Sequence, residues 1–193
     1  MDNLFMIREK IRELYASHSK IFDKALQFVV AFLTFYMINS NVGFMKMAAS
    51  PLVTLALSVI CTFLPMTLTV IAASALMLAH MFSVSLSVFI VTALVFLIMY
   101  IFYFRLTPKM ALALLLTPIA FMLKIPYVIP VAYGLMSAPV SLVAISCGTI
   151  IYYIMQYVKK AAPGLDGKGG AGLLAEITAY LKQVFQNKEM WIT

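Results

Sequence analysis

The sequence predicts an all-α protein, a polytopic transmembrane helical bundle of four to six crossings in which prolines break some of the helices. The run from residue 47 to residue 104 contains no Asp, Glu, Lys or Arg. An ionised side chain at the bilayer centre costs at least about 2.5 to 3.5 kcal/mol, and one crossing needs about 20 residues. This run therefore holds two or three crossings.

Composition and periodicity support the same class. Hydrophobic residues make up 64% of the chain and charged residues 11%, against about 45 to 50% and about 25% in soluble domains. The apolar runs are continuous and rich in Leu, Ala and Met, whereas the strands of a membrane barrel alternate over about ten residues. The pattern therefore favours helices over a barrel.

Residues 1–20 predict a cytoplasmic amphipathic helix. Leu4, Ile7, Ile11 and Leu14 recur at spacings of three and four, and charged residues occupy the other side of the helix. Such a helix lies flat in the headgroup region or pairs with another helix, and its mixed charges favour pairing.

Residues 21–160 are predicted to form the transmembrane domain, with a first span over 21–38. Ser50 and Pro51 are typical of a helix start, and Pro65 interrupts the helix that follows. Residues 51–80 accordingly fit two crossings, a re-entrant hairpin or one helix kinked at Pro65. Full spans are predicted over 83–104 and 139–158.

Prolines at positions 118, 126, 130 and 139 break the segment 108–139, which also contains Lys124. Broken helices at membrane depth need protein or water to satisfy their freed carbonyls, and with one cation they are typical of an intramembrane binding site. The candidate solute-binding residues are Lys124, Pro126, Tyr127 and Pro130. The alternative, which we favour, is that Lys124 lies in a loop and extends to the membrane interface.

Residues 161–172 predict a Gly-rich linker, and residues 173–193 a second cytoplasmic amphipathic helix. Its apolar residues, among them Leu174, Ile177 and Leu181, repeat the spacing of the N-terminal helix. Trp191 near the end indicates an interfacial anchor or the opening of a further span. In the second case the chain is an N-terminal fragment.

The net charge of +7 sits almost entirely at the two ends of the chain, which predicts that both termini are cytoplasmic in a bacterial plasma membrane. Two cytoplasmic ends require an even number of crossings, six or four. A weak internal repeat, in which Ser50-Pro51 and Thr107-Pro108 each open a helix, would give seven crossings. That count places Lys159 outside, against the charge rule, so we treat the repeat as chance.

The chain contains no Asp or Glu between Asp23 and Asp166. Aspartyl and metal-dependent proteolysis, carboxylate-relayed proton coupling and magnesium-phosphate transfer all need carboxylates in or beside the bilayer. We also find no nucleotide-binding or cysteine metal motif. The sequence therefore predicts no enzyme, no cofactor and no metal.

A resemblance to known proteins rests on residues 121–130, FMLKIPYVIP, and 147–153, CGTIIYY. In these segments the chain resembles an uncharacterised group of multi-pass membrane proteins from anaerobic Gram-positive bacteria. The similarity covers most of the chain and includes the N-terminal helix, and the relatives continue into further spans. The resemblance implies a membrane location and a helical architecture, and it assigns no function to any residue.

Two functional hypotheses follow. The first is a transporter or permease-type membrane component for a small anionic or neutral solute, with Lys124 as its counter-charge. The second is a membrane-anchored scaffold or assembly subunit that recruits a partner through its amphipathic helices. The partners we expect are the lipid bilayer and a second copy or other membrane or ATPase subunits. No nucleic acid is expected, since the basic residues accompany no base-reading motif.

Overall fold

The computed structural model describes residues 2–136 and 140–165, together with Lys182 and Gln186. The described residues form seven α-helices and no strand, which confirms the all-α class. The helices are α1 (Asp2–Val42), α2 (Pro51–Phe63), α3 (Met66–Val84), α4 (Leu86–Leu106), α5 (Ala111–Met122), α6 (Val128–Met136) and α7 (Ser141–Leu165). Apart from Lys182 and Gln186, the predicted helix over 173–193 lies outside the described residues.

Four helices are long and apolar enough to cross a membrane: α1 over Ser19–Val42, α3, α4, and α7 over Ser141–Lys160. Many large apolar side chains on the outside of the bundle are exposed, including Leu52, Leu94, Leu97 and Leu135. A soluble protein rarely leaves so much apolar surface in water. The architecture is compatible with a helical membrane protein.

Helix α1 joins two segments that the sequence predicts separately. It runs unbroken for 41 residues, or about 61 Å at 1.5 Å per residue, which is twice the thickness of the hydrocarbon core. It also continues through Asn39 and Asn41, where the sequence predicts a turn. Asn41 Nδ2 donates to Met37 O at 2.9 Å and Asn39 Nδ2 to Ala48 O at 3.0 Å, so both amides find partners within the folded chain.

Proline 65 separates two distinct helices rather than kinking one. Ser50 caps α2, since its Oγ accepts from Val53 N at 3.4 Å. At the other end Leu64 is extended, with φ −88° and ψ 160°, and α3 begins after Pro65. The single kinked helix, one of the three arrangements that the sequence allows, is therefore not the one observed.

The helices α3 and α4 meet at Ser85, which ends one and caps the other. Its backbone N donates to Met81 O at 3.1 Å, and its Oγ accepts from Ser87 N at 3.3 Å. His80 consequently lies within α3 rather than at its end.

Contacts between the helices fix the direction of each one. Near the start of α1, Lys24 Nζ donates to Thr62 O at the end of α2. Near the end of α1, Asn39 contacts Thr54 and His80, and Asn41 contacts Met122 at the end of α5. Helix α2 is therefore antiparallel to α1, whereas α3 and α5 are parallel to it.

The remaining directions follow in the same way. Tyr100 of α4 contacts Ser74 of α3, while Phe82 and Phe89 meet beside the turn, so α4 is antiparallel to α3. Phe121 of α5 stacks on Tyr152 of α7, with ring centroids 4.8 Å apart. Together with the contact of Gly148 at Leu114, this makes α5 and α7 parallel.

The two basic clusters consequently lie at opposite ends of α1. Lys24 lies at its first described interhelical contact, and Lys159 Nζ donates to Asn41 Oδ1 at 3.2 Å near its end. Between these points the chain traverses the bundle seven times, with α2, α5 and α6 as short traverses. This differs from the even count, with both clusters on one side, that the charge distribution predicts.

Candidate functional site

Five helices, α1, α3, α4, α5 and α7, enclose a cavity of about 40 Å³ in the middle of the bundle. Its lining is mostly apolar and includes Met77, Phe96, Leu115, Ile151 and Met155. A single water needs about 10 to 15 Å³, so the space admits one or two waters or the end of a short apolar chain. Among the described residues that line it, none is Asp, Glu, Lys, Arg or His.

Two hydroxyl side chains form the polar edge of the cavity. Ser74 of α3 and Tyr100 of α4 share a short hydrogen bond. The Tyr100 hydroxyl also donates to Val70 O at 3.3 Å, and Ser74 Oγ donates to Ile71 O at 2.8 Å. These bonds join α3 to α4 and place hydrogen-bonding groups beside an otherwise apolar space.

A proline breaks the backbone hydrogen bonding of α5 at the cavity wall. Pro118 lies inside α5 and lines the cavity, and because proline has no N–H it leaves Leu114 O without its usual helical donor. Gly148 of α7 packs against this point. A Cβ added to Gly148 would lie 2.8 Å from Leu114 O and 2.7 Å from Thr117 Cβ. Glycine therefore allows α7 to approach the freed carbonyl closely.

Lys124 ends α5 in a conformation that glycine usually adopts. Its φ is +60°. Lys124 N donates to Phe121 O at 3.1 Å, and Ile125 N donates to Ala120 O at 3.0 Å. This pair of bonds is the Schellman motif, in which a left-handed residue satisfies the last carbonyls of a helix. Lys124 thus has a definite structural role as the helix terminator.

The predicted solute-binding residues all lie on the connection from α5 to α6 or at the start of α6. Lys124 and Tyr127 are exposed, and Pro126 and Pro130 are partly buried. None of the four lines the central cavity. The structure therefore keeps the four together but does not bring them to the cavity, and their role in solute binding stays a prediction. The exposed position of Lys124 agrees with the loop alternative.

A second polar cluster is buried near the end of α1. His80 is fully buried, its Nδ1 accepts from Met45 N at 3.2 Å, and its Nε2 lies 2.8 Å from Asn39 Oδ1. Since Nδ1 accepts, Nε2 carries the proton and donates to Asn39. Asn39 Nδ2 in turn donates to Thr54 Oγ1 at 2.7 Å. Every ring nitrogen is satisfied, so this cluster ties the loop after α1 to α2 and α3.

The polar residues of α1 act differently from one another. Gln27 Nε2 donates to Cys61 O at 2.7 Å and Leu64 O at 2.5 Å, which confirms the interhelical role predicted for it. Thr34 Oγ1 donates to Val30 O of its own helix at 2.7 Å. The interhelical bond predicted for Thr34 is therefore wrong, since a helical threonine can bond the carbonyl four residues back.

Sequence reasoning missed the residues that form the site. Tyr100 reads as part of an aromatic belt at the membrane interface, and Asn39 reads as a turn residue, yet both bridge helices. Pro118 was the one available signal for the cavity, because it predicts a freed carbonyl at membrane depth. In the described part of the chain no group of three or more His, Cys, Asp or Glu residues is placed to hold a metal ion.

Comparisons with models of known protein families, with curated proteins and with solved structures find no match. The class of the protein therefore rests on its own architecture, an all-α bundle with four helices of membrane-spanning length and an internal apolar cavity.

Proposed function

We propose that this protein is a transport-type component of the bacterial plasma membrane that handles a small neutral solute. The observation that carries the proposal is the central cavity, which lies where five helices meet and is bordered by the broken helix α5. Discontinuous helices around a midplane cavity are a common feature of membrane transporters.

The chemistry of the cavity favours a neutral solute over an anionic one. Its described lining offers the hydroxyls of Ser74 and Tyr100 and contains no cationic side chain, while Lys124 lies outside it. A desolvated charge without a partner is costly, so an anion has no stable position there. The absence of carboxylates between Asp23 and Asp166 likewise favours a role without enzymatic or proton-coupled chemistry.

The proposal can be tested by osmotic swelling of liposomes that contain the purified protein. Glycerol, urea and 1,2-butanediol serve as neutral probes and nitrate as an anion, with protein-free liposomes as the baseline. We expect faster swelling with at least one neutral probe and none with nitrate. Faster swelling with nitrate alone, or with no probe, would refute the proposal.

Matched tryptophan variants connect the flux to the cavity. Met77→Trp places a bulky ring in the cavity, whereas Leu97→Trp places it at a position on α4 that is 59% exposed. We expect Met77→Trp to abolish the protein-dependent flux and Leu97→Trp to preserve it. Equal flux in the two variants would show that solutes do not pass through the cavity.

A second candidate function is that of a scaffold, and one observation favours it. Because α1 is continuous, its first four turns form a rigid extension of the spanning helix. Met6, Glu9 and Lys10 on this extension are exposed. We expect a chain lacking residues 3–17 to lose any stoichiometric partner that copurifies with the whole protein from native membranes, and retention of the partner would refute this function.

A further inference from the structure

The outer surface between α3 and α4 carries an apolar groove that adjoins the central cavity. The groove has a volume of about 540 Å³ and is lined by Leu78 and Ala93 together with Leu97, Ile101 and Phe104 of α4. Leu97 and Ile101 are more than half exposed, so this surface faces lipid if α4 crosses the bilayer.

Two side chains border both spaces. Phe96 and Tyr100 line the groove and also line the central cavity. Phe96 is buried and Tyr100 partly buried. These two rings therefore stand between the lipid-facing surface and the inside of the bundle.

The Tyr100 ring is held in place by few interactions. Its hydroxyl bonds Ser74 and Val70 O of α3, and its ring stacks on Phe104 at a centroid distance of 5.6 Å. Interhelical side-chain hydrogen bonds within membranes are weak, with an average effect of about threefold on an equilibrium. A rotation of Tyr100 toward the groove would break these bonds and connect the two spaces.

We propose that Phe96 and Tyr100 form a lateral gate, through which the chain of a neutral amphiphile dissolved in the bilayer enters the central cavity. The apolar lining accepts the chain, and the hydroxyls of Ser74 and Tyr100 bond a single polar group such as an alcohol. This inference rests on the proposed function, since it names the class of solute and its route from the membrane.

The test uses photolabelling of the whole protein in phosphatidylcholine nanodiscs. The probe is an eight-carbon alcohol that carries a diazirine, and mass spectrometry locates the labelled residues. We expect saturable labelling of Met77 and Met155 in the cavity, reduced by unlabelled octanol. Leu97 and Ile98 on the lipid-facing side of α4 report the unsaturable background.

Conservative variants test the gate itself. Tyr100→Phe keeps the ring and removes both hydrogen bonds to α3, so we expect cavity labelling to be about threefold faster. Tyr152→Phe is the matched control, since the Tyr152 hydroxyl accepts from Gln156 of its own helix and does not border the groove. It should leave the labelling rate unchanged.

Three results would overturn the gate. They are labelling of Met77 and Met155 no stronger than that of Leu97, labelling that octanol does not reduce, and an unchanged rate in Tyr100→Phe. Octanol-insensitive labelling would mean that bilayer acyl chains occupy the cavity. Because labelling requires no flux, saturable gated labelling without solute flux would refute the transport proposal alone, and flux without cavity labelling would refute the gate alone.

Discussion

At the scale of single residues, Gly148 is the position where the backbone geometry demands one amino acid. The Cβ of alanine would lie 2.8 Å from the backbone oxygen of Leu114, so α5 or α7 must shift to accept it. Overpacking of this kind typically costs about 1 to 3 kcal/mol. The close approach also covers a carbonyl that Pro118 leaves without its helical donor.

We expect Gly148→Ala to lower the midpoint of thermal unfolding in detergent by several degrees, at about 2 to 4 °C per kcal/mol for a chain of this size. The reaction of a thiol-specific fluorophore with Cys61 and Cys147 measures unfolding, since both thiols are free and buried. Gly134→Ala is the control, because an added Cβ there meets nothing within 4 Å. Equal midpoints for the two variants would contradict the packing described here.

Lys124 offers a residue-scale test of the two interpretations of its role. A left-handed conformation costs about 1 to 2 kcal/mol for residues other than glycine. As a helix terminator at φ +60°, Lys124→Gly should raise the unfolding midpoint and Lys124→Val should lower it. Lys124→Met should leave both the midpoint and solute flux nearly unchanged. Loss of flux in Lys124→Met with normal stability would instead establish Lys124 as the counter-charge of a solute.

At the scale of helices, α2 depends on α1 for the satisfaction of its last carbonyls. Pro65 follows α2 and has no N–H to offer. Gln27 bonds Cys61 O and Leu64 O, and the Lys24 ammonium bonds Thr62 O. A cation near a helix C-terminus is also favourable to the helix dipole. Two polar residues of the first span thereby hold a helix that is too short to be stable alone.

The variant Gln27→Met keeps the length of the side chain and removes its donors. It leaves buried carbonyls unpaired, at a cost of about 1 to 3 kcal/mol. We therefore expect faster hydrogen exchange of the α2 amides, measured by mass spectrometry. Thr34→Val should have little effect on α2, since Thr34 bonds its own helix. Identical exchange of α2 in the two variants would contradict this role of Gln27.

At the scale of the whole molecule, the chain direction separates the basic residues into two groups. Lys24, Arg105 and Lys109 lie toward the start of α1, while Lys46, Lys124, Lys159 and Lys160 lie toward its end. The positive-inside rule relies on a marked imbalance between the two sides. The folded arrangement divides the described basic residues more evenly than their clustering along the sequence suggests.

Single cysteines can test this arrangement in right-side-out and inside-out membrane vesicles. In a background with Cys61 and Cys147 replaced by alanine, we expect Lys20→Cys and Lys109→Cys to react with an impermeant maleimide from one side. Lys46→Cys and Lys160→Cys should react from the other side. Labelling of positions 20 and 160 from the same side would restore the even number of crossings that the charge clusters predict.

The sequence by itself determined the class of the protein and most helix boundaries. Those features depend on local physics: charge-free runs of sufficient length for the hydrocarbon core, Ser50 as an N-cap, and the breaks before Pro65 and within residues 108–139. Such signals act over a few residues, so they can be read without knowledge of the fold.

The tertiary structure decided the direction of each helix, the position of the cavity and the partners of the polar residues. Helix α4 is apolar all round, so its sequence does not say which side faces lipid and which side packs inward. Tyr100 bonds a residue on α3, and Asn41 contacts both Met122 and Lys159. These pairs lie far apart along the chain, and without a polar face to orient the helices only packing brings them together.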